Sequence, residues 1–140
     1  AARAAKAQRV LEMQCCTMFD YIRLLDTRIQ RMQGSDSAEV RKMNFGMAIM
    51  ALKAGFPIRR SGWNGKGLMV FKQIPAHIES DVIPKMQSLP QSAKDLTLKD
   101  KGFIDDTSQC LIYNENTGRA DSWVPSISDM FADDWEIVLP

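Results

Sequence analysis

The chain has 140 residues, 45% of them apolar and 25% charged, enough to bury the core of one ordinary domain or of a small domain with an appendage. Its net charge of +1 gives no bulk attraction to a polyanion, and no apolar run approaches the ~20 residues that a membrane-spanning helix needs. The three cysteines, Cys15, Cys16 and Cys110, lack regular spacing and point to a reducing compartment; with His77 as the single histidine they argue against a zinc site and against a Ser-His or Cys-His catalytic pair.

Residues 1–33 contain no glycine or proline and predict one long helix. Leu11, Cys15, Met18, Ile22, Leu25, Ile29 and Met32 follow one another at spacings of 4, 3, 4, 3, 4 and 3, a heptad seam. Phe19 and Tyr21 flank it at positions usually kept for charge, so the apolar face is wider than a two-stranded zipper needs. The helix cannot bury that face alone. Two readings stand: self-association, or packing on its own chain. No charged-then-apolar leader is read, and the chain opens at Ala1 rather than Met, as a processed or trimmed start would.

Gly34 suits the end of this helix, and Asp36 with Glu39 resembles a capping box for a new one. Residues 34–42 therefore read as a hinge. Met43 to Ala54 predicts a second helix, with Phe45, Ala48, Ile49 and Leu52 on its apolar face and Gly55 closing it. Residues 56–59 read as a short strand, with Pro57 confining it to an edge or to its own start.

Arg59 to Gly67 holds two arginines, a lysine, Trp63, Asn64 and three glycines, and no acid. Glycines permit positive φ and close backbone approach. Trp63 offers a flat face, Asn64 an amide, and Arg60 and Lys66 cationic donors. That composition suits a nucleotide, base on aromatic and phosphate on cation; a β-turn with an anchoring tryptophan and solvated charges would look the same. Leu68 to Gln73 follows as the second strand. Residues 74–102 are broken by Pro75, Pro84 and Pro90; Ile83 to Leu89 reads as short helix or strand, and Lys94 to Lys101 as surface loop.

Cys110 to Tyr113 and Ala120 to Val124 predict a hairpin about the turn at residues 114–118. Ser126 can cap a short helix from Ile127 to Ala132, with Asp129 favourably placed in its first turn. Trp135 to Val138 alternates as a last strand, with Trp135 facing the core. The sum is an α+β fold, a small antiparallel sheet with a packed helix behind a long N-terminal helix. Residues 1–42 form the helical extension and hinge, and residues 43–140 the α+β unit. Residues 59–72 form a basic edge, and residues 105–136 hold eight acids against Arg119 alone, so the two edges can attract each other within a subunit or between subunits.

Two blocks carry a resemblance. Met43-Asn44-Phe45, Ala48 to Leu52, Lys53, Gly55 and Arg60-x-Gly62-Trp63-Asn64-Gly65-Lys66-Gly67 look like the opening of the Thoeris anti-defence two family. Trp123-x-Pro125-Ser126-x-x-Asp129-x-x-Ala132-x-Asp134-Trp135 resembles its close. The helix 1–33 lies outside the family core, and residues 74–102 do not match it closely. The resemblance implies a phage protein that is not an enzyme and needs no cofactor. Members of this family act as sponges in the cytoplasm of the infected bacterium. They bind a cyclic ADP-ribose signal, and some also cyclic oligonucleotides, and hold it from the immune effector. They are homotetramers with pockets between subunits.

On that footing Arg60, Trp63, Asn64, Lys66, Trp123, Ser126 and Asp129 are the ligand-binding candidates. Indoles stack a purine, amide and carboxylate hold riboses, and cations hold the diphosphate. Each also has a structural reading: Trp63 in the core, Trp123 in cross-strand packing, Asn64 in the turn, Asp129 in its helix. Two other classes compete. A nucleotide-cleaving enzyme would need a base and usually a metal, and Asp133-Asp134 is the only carboxylate pair near a motif, which turn composition explains. A nucleic-acid-binding or oligomeric assembly module is favoured by the seam and the basic turn, and disfavoured by the net charge.

Overall fold

With no glycine or proline to interrupt it, helix α1 runs from Ala2 to Met32 and ends at Gly34, whose φ is +89°. The computed structural model describes residues 1–34 and 41–139, so the Asp36–Glu39 capping pair falls outside the described residues. Helix α2 (Phe45–Lys53) begins later than the pattern predicted, because Asn44 is its cap: the side-chain carbonyl accepts the Met47 N–H at 2.9 Å. Met43 instead makes a bridge to Trp135, donating at 2.9 Å and accepting at 3.1 Å. The buried face of α2 is Met47, Ala48, Ala51 and Leu52; Phe45 and Ile49, expected on it, are half-buried beside it.

Strands β1 (Ile58–Arg60) and β2 (Leu68–Lys72) flank the glycine-rich turn. Between them and the hairpin lies a segment with more structure than its sequence signals. Strand β3 (Ala76–Ile78) pairs antiparallel with β4 (Ile104–Asp106), a 3-10 turn covers Ile83–Lys85, and helix α3 spans Gln91–Lys99. The loop predicted at Lys94 to Lys101 is thus mostly helical. Helix α3 has no buried residue, so it carries no apolar stripe by which a helix could be read.

Strands β5 (Cys110–Asn114) and β6 (Arg119–Ser122) form the predicted hairpin. Helix α4 is short, Ile127–Met130, and β7 is Trp135–Ile137. The main sheet has the order β6-β5-β2-β1-β7, antiparallel throughout. Strand β1 is interior; Pro57 stands just before it, where it costs the ladder no donor. Ile58 and Val70 project from the sheet into a core shared with Met43, α2 and Trp135, all nearly inaccessible to solvent. The fold is α+β, as composition and pattern predicted. None of its described helices is long and apolar enough to cross a membrane.

Candidate ligand-binding site

The register of β1 on β7 sets Arg60 opposite Trp135, at the end of the sheet where α4 hands over to β7. There Arg60 lies between two carboxylates: its Nε donates to Asp134 Oδ1 at 2.7 Å and its Nη1 to Asp129 Oδ1 at 2.9 Å. Asp129 also accepts from the Trp63 indole N–H at 3.1 Å. Its second oxygen accepts the Ser126 backbone N–H at 2.9 Å and the Ser126 hydroxyl at 2.8 Å. The Ser126 hydroxyl in turn accepts the Asp129 N–H, closing a capping box. The Trp135 indole donates to the Asp129 carbonyl at 3.0 Å, while the rings of Trp63 and Trp123 stand edge-on to Trp135.

The electrostatics follow from these contacts. Burial alone would push the Asp129 carboxyl up. The hydrogen bonds from Ser126, Arg60 and Trp63 outweigh burial and hold it at about 2. Asp134 is likewise lowered: burial opposes the shift, and the bonds from Arg60 and the Gly62 N–H overcome it. Arg59 pairs with Glu136 at 3.1 Å on the neighbouring strand. The basic and acidic edges expected from sequence therefore meet within one chain.

Two glycines of the turn are fixed by close approach of protein atoms. Gly62 donates its N–H to Asp134 Oδ2 at 2.7 Å, and a Cβ there would sit 2.5 Å from that oxygen. Gly67 has φ +83°, and a Cβ would meet Asn116 and Glu115 of the hairpin turn within 3 Å. The turn is tied to that hairpin by Asn116 Nδ2 donating to the Lys66 carbonyl at 2.7 Å and the Glu115 N–H donating to the Gly67 carbonyl at 2.9 Å.

A polar groove of about 350 Å³ opens between the turn, β1 and the hairpin turn. Arg59, Arg60, Trp63 and Lys66 line it together with Glu115 and Glu136. Of the sequence candidates, Arg60, Trp63 and Lys66 converge here. Asp129 bonds both Arg60 and the Trp63 indole, and Ser126 holds Asp129. Trp123 packs on the core through Trp135, and Asn64 is exposed outside the groove lining. Among the described residues Lys66 forms no ion pair, so its ammonium is free for an anion. Arg59, Glu115 and Glu136 were not singled out from sequence. The register that faces Arg59 with Glu136 is the signal that brings two of them in. A mostly apolar groove of about 480 Å³ lies apart from this chemistry, between α1 and Phe56 and Ile137.

His77, which has no partner nearby in sequence, finds one across β3 and β4. Its Nδ1 contacts Asp105 and its Nε2 lies 3.4 Å from Glu79. The bond to Asp105 raises its pKa. Both ring nitrogens face carboxylates, so neither is directed at a nucleophile.

Residues 43–138 match the family described as the Thoeris anti-defense 2-like domain. The chain is also 30% identical over 99 residues to a protein of Bacillus phage SP01 named Thoeris anti-defense 2, an alignment covering 69% of this chain and 96% of that protein.

Proposed function

Because this chain belongs to the Thoeris anti-defense 2-like family, we propose that it is a phage anti-defence protein that sequesters a cyclic ADP-ribose-type signal without cleaving it. It would act in the cytoplasm of the infected host, with residues 43–140 as the binding unit and residues 1–42 as an extension. The observation that carries the binding reading is the groove that Arg59, Arg60, Trp63 and Lys66 line together. Its volume of about 350 Å³ lies within the range of small-ligand sites. In this reading Lys66, the cation of the groove without an acid partner among the described residues, is the main hold on the diphosphate; Arg60 adds only what its two carboxylates leave over, and Trp63 stacks the base. Ser126 and Asp129 keep Arg60 and Trp63 in place. Asn64 and Trp123 lie outside the groove of a single chain, and they reach ligand only where subunits meet, as in the tetramer that the family resemblance implies. The alternative of a nucleic-acid-binding module is weakened by the pairing of Arg59 and Arg60 with acids of the same chain, which removes most of the basic patch.

The test uses full-length protein and a cyclic ADP-ribose isomer. Calorimetry should show tight binding, and heating the washed complex should release a ligand of unchanged mass. Lys66→Glu should weaken binding tenfold or more, since a hydrogen bond to a charged group is worth about 1.5–3 kcal/mol. Melting should not change, because Lys66 is exposed and unpaired among the described residues. Recovery of hydrolysed ligand would overturn the sponge reading; undiminished binding by the folded variant would overturn the site.

A further inference from the structure

The apolar seam of α1 is turned away from the rest of its own chain. At about 100° per residue, Leu11, Cys15, Met18, Ile22, Leu25 and Ile29 fall on one side of the helix. The contacts of α1 with its own chain are on the other side, roughly 160° around by the same geometry. Asp20 accepts from the Asn44 amide at 2.9 Å, Arg23 donates to the Lys42 carbonyl, and Leu24, Thr27 and Arg31 line the groove facing Phe56 and Ile137. Met32, in the last turn, is the one seam residue that also reaches that groove. No residue of α1 is buried, and Leu11, Met18, Ile22 and Ile29 are each more than half exposed. Of the two readings of the seam, packing on its own chain is therefore not the one realised.

We propose that the seam pairs with the same seam of a second copy of this chain, as a parallel, in-register coiled coil. Three observations select this occupant. First, a sustained 4-3 spacing is the pattern of helices that supercoil on an equivalent helix, whereas a helix on a globular partner follows the 3.6 period. Second, with Cys15, Ile22 and Ile29 at a and Leu11, Met18 and Leu25 at d, the flanking positions decide the orientation. Parallel pairing sets Tyr21 against Asp26, Gln14 against Phe19 and Arg28 against Gln33, with no like charges opposed. Antiparallel pairing with the seams overlapped sets Glu12 against Asp26 at both ends, which is repulsive. Third, Phe19 and Tyr21 are both mostly exposed, and parallel pairing lays them over the seam edges, so residues out of place on a solvated helix become its cover. Such pairing would set two ligand-binding units side by side at one end of the coil.

This inference does not rest on the ligand reading, and its test needs no ligand. In the parallel pair each Cys15 faces the equivalent Cys15, within reach of a disulfide, while Cys16 at b points outward. Mild oxidation of the full chain should give a covalent dimer. Cys15→Ser should abolish it and Cys16→Ser should leave it. Without oxidant, Ile22→Lys with Ile29→Lys should lower the light-scattering mass about twofold or more, while tryptophan fluorescence shows the sheet still folded. A covalent dimer that persists in Cys15→Ser, or fails to form although Cys15 reacts with a thiol reagent, overturns the parallel register. An unchanged mass in the folded double-lysine variant overturns the pairing altogether, and so does a wild-type chain that stays monomeric at every concentration.

Discussion

Helix α1 and the sheet beyond it are equally rich in apolar side chains, yet they dispose of them in opposite ways. Eleven large apolar residues of α1 are exposed and none of its residues is buried, whereas all nine buried apolar residues among the described residues lie at or after Met43. In the sheet, long-range register brings apolar faces from distant segments together, Ile58 against both Val70 and Ile137. A straight helix about 46 Å long presents its stripe along one line, and nothing in its own sequence can fold back to cover it. The polar groups divide the same way. The carboxylate of Asp129 is satisfied four times over within the chain, while the side-chain pairs along α1, Gln8 with Glu12 and Gln30 with Asp26, are exposed and local. Stability concentrated in one half and unspent surface in the other is the arrangement expected if the first folds alone and the second waits for a partner.

The largest test of this contrast is Asp129→Ala. It strips the capping box and leaves Arg60 with Asp134 only, and the Trp63 indole with no acceptor. Breaking a buried pair by removing one member costs about 3–5 kcal/mol; Asp134 remains, so the lower end, about 3 kcal/mol, is expected. That is much more than the few tenths to 1 kcal/mol of a carboxylate that serves only a helix dipole. Chemical denaturation followed by tryptophan fluorescence measures it. A loss below about 1 kcal/mol would mean that the cluster is peripheral and that stability is spread evenly along the chain.

Acid provides a second, smaller probe of the same cluster. The folded-state value of Asp129, about 2, lies below its ordinary 3.8, so the fold favours the ionised form. Its contribution is therefore complete above pH 3.8, declines as pH falls through that value, and is gone below about 2. The shift corresponds to about 2 kcal/mol. Asp134 moves in the same direction. All three tryptophans lie in the sheet half, so their fluorescence follows that half alone. Stability unchanged from about pH 5 to about pH 2 would show that water replaces the bonds to Asp129 without loss.

Elements with local signals were readable in the sequence. Helix α1 has no breaker, α2 ends at a glycine, and the hairpin has its turn at residues 114–118. The end of the chain was readable for the same reason, since Ser126 and Asp129 are three residues apart and cap the same turn. What was hidden depends on partners far away in sequence. Helix α3 and the β3–β4 pair are exposed, so neither burial nor alternation marks them. The candidate site was half visible: the basic and acidic blocks show that attraction exists, but only the β1–β7 register shows that Arg60 takes both Asp129 and Asp134. The bonds that Asp129 makes beyond its own helix are hidden for the same reason. Its partners there, Arg60 and Trp63, lie more than sixty residues upstream.

The smallest predicted effect is the one that separates a seam from mere stickiness. Met13 is 72% exposed and lies on α1 between Leu11 and Cys15, but on the far side of the helix, at the f position. If exposed apolar surface of any kind drives association, Met13→Glu should reduce it as replacing Ile22 does. If the heptad seam drives it, Met13→Glu should leave the mass unchanged, because f positions stay solvated in a paired coil. Monomer stability should shift by less than about 0.5 kcal/mol either way, since the side chain is mostly exposed and glutamate is about as good a helix former as methionine. Light scattering on Met13→Glu beside the double-lysine seam variant therefore asks one question of one helix. A mass that drops for both would reduce the seam to nonspecific adhesion. A mass that drops only for the seam variant would place the association on the line from Leu11 to Ile29.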